Sequence, residues 1–97
     1  MHVSIVHTDV RVDPELVVDV VAAVDGRSLR VNLERDVIVR LLGSDLSDQQ
    51  KLFQTLQKRL GAIRIAVEAY VLARGFPLDS YVVLSWDDFS ALAEDLQ

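Results

Sequence analysis

The chain has 97 residues, a formal net charge of −5, 51% hydrophobic residues and no cysteine. This length suits one domain with its own core, and the hydrophobic fraction argues against a disordered chain. The lack of cysteine excludes disulfides, thiolate metal sites and cysteine nucleophiles, and it favours a reducing compartment such as the cytoplasm.

Charge and hydropathy also bear on the partners. An acidic chain is poorly suited to a nucleic-acid backbone, which is bound by clustered Lys and Arg. Apolar runs reach only about five residues, and no basic residue precedes an apolar stretch near Met1. We therefore expect neither a signal peptide nor a membrane span, and no nucleic-acid partner.

The first predicted element is a β-strand. Apolar and polar residues alternate through a segment that ends at the turn Asp13-Pro14. One set of side chains is Val6, Thr8, Val10 and Val12, and it alternates with the polar set His7, Asp9, Arg11 and Asp13.

A β-hairpin follows, centred on the type I′ turn signal Asp25-Gly26. If Val24 and Arg27 flank the turn, apolar residues pair with each other across the two strands on one face of the hairpin. The other face carries more polar residues and is the wetter face. The apolar pairs are Ala22 with Leu29, Val20 with Val31, and Val18 with Leu33; the wetter face carries Val21 with Arg30 and Asp19 with Asn32.

Two helices are predicted next. Asp36 is expected to cap a short helix that ends at Gly43. Ser47 and Gln50 form a capping-box signature for a long helix, which we expect to run to Arg74 and stop at Gly75. Gly61 is a possible bend within it, and Arg64 and Glu68 form an i,i+4 pair.

The length of this helix predicts self-association. A straight helix over residues 48–74 would be roughly 40 Å long, whereas a compact domain of this size is roughly 33 Å across. A projecting end would expose its apolar side chains to water, and a homodimer buries them most simply. The candidate dimer interface is the stripe Phe53, Leu56, Leu60 and Ile63. The alternative is a monomer in which the sheet and the short helices cover this stripe.

The last predicted elements are a strand over residues 80–86 and a helix through Leu96 that begins with the capping box Ser85 to Asp88. Together the elements predict one α+β domain over residues 1–97, with a mostly antiparallel sheet of about four strands. One long central helix and two short helices complete it, in the order β-β-β-α-α-β-α.

Residues that could support chemistry have simpler explanations. His2 and His7 with Asp9 could form part of a metal site, but His7 fits a solvated strand position better. Asp87 and Asp88 suit helix capping better than acid-base catalysis. We therefore predict no catalytic, cofactor or metal site. Four arginines are close in sequence, but interleaved acids indicate a mixed solvated surface: Arg27, Arg30, Arg35 and Arg40.

The order of elements resembles a family of short bacterial proteins known only as a domain of unknown function. The likeness covers residues 20–89 and rests on three segments: Asp25-Gly26-Arg27, the helix residues Phe53 to Gly75, and Val83 to Phe89. The resemblance implies a small α+β fold and no particular activity.

Three hypotheses for function follow from these patterns. The first is a non-enzymatic homodimeric interaction or regulatory module. The second is an acidic antitoxin or immunity-type inhibitor of a basic protein, which predicts salt-dependent binding. The third is a small enzyme or ligand-binding protein with a pocket between sheet and helix, lined by Tyr70, Tyr81 or Trp86.

Overall fold

The computed structural model describes residues 1–43 and 46–89, and it has the α+β fold that the sequence predicts. The elements are, in chain order, β1 (Val3–Arg11), β2 (Val17–Val24), β3 (Arg27–Leu33), α1 (Arg35–Leu42), α2 (Gln49–Lys58), α3 (Leu60–Arg74) and β4 (Tyr81–Leu84). Residues 86–89 begin a further helix.

The four strands form one sheet in the order β1-β2-β3-β4. The first three strands are antiparallel neighbours, while β4 lies parallel to β3. The hairpin register is confirmed, with Ala22 opposite Leu29 and Val20 opposite Val31. Asp25 and Gly26 have φ values of 50° and 85°, the positive values that a type I′ turn requires.

The predicted alternation in β1 is only partly correct, because a β-bulge lies between Ile5 and His7. Ile5 pairs with Ala22 and His7 with Val21, so Val6 has no partner on β2. The extra residue shifts the phase of the strand. Val10 is buried and Val6 is 60% exposed, so the two residues do not share one face as a regular alternation would require.

The prediction of one long helix is wrong, because the chain leaves helical geometry at Arg59, where φ is −108° and ψ is 5°. The Arg59 amide donates to the Leu56 carbonyl oxygen at 2.9 Å and closes α2, and the Ile63 amide donates to the Arg59 carbonyl oxygen to begin α3. The break lets both helices pack on β1. The longest dimension is 35 Å, and none of the helices in the described part of the chain is long enough to project from the domain.

Two predicted helix starts are displaced by one or two residues. The N-cap of α1 is Glu34, and the Asp36 carboxylate instead accepts a hydrogen bond from the next amide, that of Val37, at 2.8 Å. Asp48, rather than Ser47, caps α2 by accepting from the Lys51 amide at 3.1 Å.

Both predicted helix ends are confirmed. Gly43 follows α1 with a φ of 108°, and Gly75 follows α3 with a φ of 82°. Each glycine amide donates to the carbonyl oxygen four residues earlier, that of Val39 and Val71 respectively. Positive φ favours glycine because it has no Cβ.

The final segment keeps its predicted strand in a shorter form and its predicted cap. The Asp88 carboxylate accepts hydrogen bonds from the Ser85 amide at 2.9 Å and from the Ser85 hydroxyl at 3.3 Å. The helix therefore begins after Ser85. Its predicted end at Leu96 lies outside the described residues.

The hydrophobic core lies between the helices and one face of the sheet. Strand residues on this face are almost fully buried, among them Val18, Val20 and Val31. The helices contribute Leu56, Ile63 and other side chains to the same cluster. Alternation along the strands leaves polar residues and some exposed apolar residues on the opposite face, and the candidate site lies there.

Candidate functional site

We call the sheet face opposite the core the open face. Two rows of side chains cross all four strands on it. From β1 to β4 the members are His7, Val21, Arg30 and Tyr81 in the first row, and Asp9, Asp19, Asn32 and Val83 in the second. Apart from Asp19 these residues are exposed or half-buried, so no described helix covers the open face.

The polar part of the open face is organised around Asp19, which is 8% exposed. Its carboxylate accepts a hydrogen bond from the Asn32 amide group at 2.7 Å and one from the Arg30 guanidinium at 3.2 Å. Among the described residues Asp19 is the only buried charged or polar side chain. Its charge is therefore compensated by partners on the neighbouring strand.

A second ion pair on the same face joins Arg11 and Asp9 at 3.6 Å. Both side chains are at least half exposed, so this pair contributes little to stability. Together the two pairs place two acidic and two basic side chains on the open face.

The apolar part of the open face lies at the two edges of the sheet. Val6 is 60% exposed at the bulge in β1, and Tyr81 and Val83 are 39% and 42% exposed on β4. The Arg30 guanidinium lies 6.0 Å from the centre of the Tyr81 ring and connects the apolar edge to the polar network. The sequence patterns did not place these residues on one exposed face, because the bulge and the position of β4 are non-local features.

The stripe predicted as a dimer interface is mostly core. Leu56 and Ile63 have 0% exposure within a single chain, Leu60 is half-buried, and Phe53 alone is well exposed, at 43%. Leu56 and Ile63 are therefore not available to a partner of the folded chain. The break at Arg59 explains the difference, because it lets both helices bury their apolar side chains on the sheet.

The aromatic residues considered for a ligand pocket lie beneath different arginines. Tyr70 faces Arg74 at 4.8 Å, and Trp86 faces Arg40 at 5.2 Å. A shallow cleft of about 900 Å³ is present elsewhere, and neither these two nor Tyr81 lines it. Its lining is Val12, Asp13, Pro14, Glu15, Leu16, Arg35, Leu46 and Ser47.

The arginines that are close in sequence are separated in the structure. Arg27 stacks on Phe76 at 3.8 Å, whereas Arg30 pairs with Asp19, and Arg35 lines the cleft. They therefore do not form one basic patch of the kind that binds a phosphate backbone.

The residues that were considered for a metal site and set aside, His2, His7 and Asp9, are not gathered into a cluster. His7 and Asp9 lie two residues apart on the open face of β1, while the His2 backbone amide donates to the Asp25 carboxylate at the hairpin turn at 2.8 Å. Within residues 1–43 and 46–89, no group of three or more His, Cys, Asp or Glu side chains is placed to hold a metal ion.

No protein-family model matches the chain, and no curated protein or solved structure is significantly similar to it. In the described ranges, no helix has both the length and the hydropathy that crossing a bilayer requires. The resemblance to a bacterial family stays a prediction, and the function has to be inferred from the open face itself.

Proposed function

We propose that the chain is a non-enzymatic protein-interaction module, and that the open face of its sheet is the interaction surface. The observation that carries this proposal is the exposure of Val6, Tyr81 and Val83 beside the ordered pair of Asp19 and Arg30. Apolar groups at the edge of a fixed polar network provide both binding energy and orientation.

The charge on this face distinguishes the proposal from the acidic-inhibitor hypothesis. An inhibitor of a basic protein needs a clustered acidic surface, whereas Asp9 and Asp19 on the open face are each paired with an arginine. A cytoplasmic location is part of this proposal, and the lack of cysteine supports it because such a chain suits a reducing compartment.

Site-specific photo-crosslinking in the cells that make the protein tests the proposal. p-Benzoylphenylalanine is placed at Tyr81, on the open face, and in a control at Leu72, which is 68% exposed on α3. We expect protein adducts from position 81 and few from position 72. Equal labelling at both positions, or none at position 81, would reject the open face as the interaction surface.

A further inference from the structure

We infer that the partner on the open face is a second copy of this chain, packed sheet against sheet as a two-fold symmetric β-sandwich. This inference rests on the proposed function, since it names the occupant of the same surface. Three properties of the open face support it: its size, its charge balance and the match between its two rows.

The size of the open face suits a dimer. Its strands contain nine, eight, seven and four residues. At about 3.3 Å per residue and about 4.8 Å between strands, the sheet has a flat footprint of roughly 450 Å². Projecting side chains add to this area, so the face supplies more than half of the ~800 Å² that each partner buries in a standard interface.

The charge of the open face suits an identical partner. The whole chain carries a formal charge of −5, so two copies repel each other over most approaches. On the open face, Asp9 and Asp19 are balanced by Arg11 and Arg30. Two copies that meet through this face therefore avoid the like-charge repulsion that the rest of the acidic chain imposes.

The two rows are complementary to each other under a two-fold axis that lies between them and runs across the strands. This axis places the first row of one copy over the second row of the other. Tyr81 then faces Val83 of the second copy at one edge, and His7 faces Asp9 at the other edge. Such isologous pairing is the usual geometry of homodimers, and aligned sheets pack about 10 Å apart.

Light scattering on the purified full chain tests the inference, with Val83→Asp and Val6→Asp as interface variants. Val39→Asp is the matched control, because Val39 on α1 is 38% exposed and Val83 is 42% exposed. Circular dichroism checks that each variant folds. We expect twice the chain mass of 10.8 kDa for the wild type and the control. Both interface variants should raise the dimer dissociation constant by at least about tenfold.

A wild-type chain that stays monomeric up to about 1 mM would overturn the homodimer. A dimer weakened equally by Val39→Asp would overturn this choice of face. Using two interface variants on opposite edges keeps the test decisive if one of them fails to fold. Crosslinks from position 81 to a protein of another mass would reject the second copy as the partner while leaving the proposed function standing.

Discussion

At the scale of single residues, Asp19 determines how the open face is held together. Its carboxylate joins Asn32 and Arg30, both on β3, although it is itself on the central strand β2. The hairpin register alone placed Asp19 opposite Asn32 on the wetter face. Its burial and its bond to Arg30 depend on side-chain conformations that a sequence pattern does not contain.

We expect Asp19→Ala to lower the free energy of unfolding by about 1–3 kcal/mol, since it removes the acceptor for two donors. Asp9→Ala is the control, because Asp9 is half exposed and its pair with Arg11 should contribute less than about 1 kcal/mol. Urea titration of both variants measures the difference. Equal losses would mean that the Asp19 network does not stabilise the sheet.

A second residue-scale prediction compares two apolar positions on α2. Leu56→Ala should cost about 2–5 kcal/mol, because it leaves a cavity in the core. Phe53→Ala should cost much less, since that side chain is 43% exposed. Thermal and urea unfolding of the two variants provide the test. A large loss for Phe53→Ala alone would mean that α2 packs through its other face.

At the scale of elements, the sequence predicted the features that depend on neighbouring residues, such as turns and helix ends. It did not predict the features that depend on packing between distant elements. The Asp25-Gly26 turn and the stop at Gly75 depend on backbone conformations that only certain residues adopt readily. The break at Arg59 and the bulge at Val6 instead depend on how the helices pack against the sheet. Gly61 was the sequence-based choice for a bend, yet it lies within α3.

Gly26, in the hairpin turn, and Gly61, inside α3, provide a matched test of the turn and helix assignments. Gly26→Ala should destabilise the chain by about 1 kcal/mol, because its φ of 85° disfavours a Cβ. Gly61→Ala should be neutral or stabilising by up to about 1 kcal/mol, since alanine favours a helix and no atom beyond the adjacent residues and the local helix backbone lies within 4 Å of the added Cβ. Urea unfolding measures the change in the free energy of unfolding for each variant. A loss of stability for Gly26→Ala without one for Gly61→Ala supports both assignments, whereas a loss of stability for Gly61→Ala would contradict the helical geometry at that position.

At the scale of the whole molecule, the order of the sheet sets which parts should open most readily. β2 and β3 each have neighbours on both sides, whereas β1 and β4 are edge strands. The patterns along the chain predicted the strands themselves, but the neighbour of β4 is determined by how the three helices return the chain to the sheet.

We therefore expect amide hydrogens of β2 and β3 to exchange more slowly than the outward-facing amides of β1 and β4. Hydrogen exchange followed by mass spectrometry measures this order. The face-to-face dimer leaves both sheet edges uncovered, so the order should persist at high protein concentration. Protection of β1 or β4 that grows with concentration would instead indicate edge-to-edge association.

The parallel pairing of β4 with β3 also affects the order in which a growing chain can fold on the ribosome. The first three strands are joined by short connections and can pair early, but β4 is separated from β3 by all three of α1, α2 and α3. Until residue 84 has been synthesised, the outer edge of β3 has no strand to pair with. An unfinished chain thus has a second open edge, that of β3, through which it can aggregate, and late synthesis of a four-residue strand covers residues 30–33 of that edge.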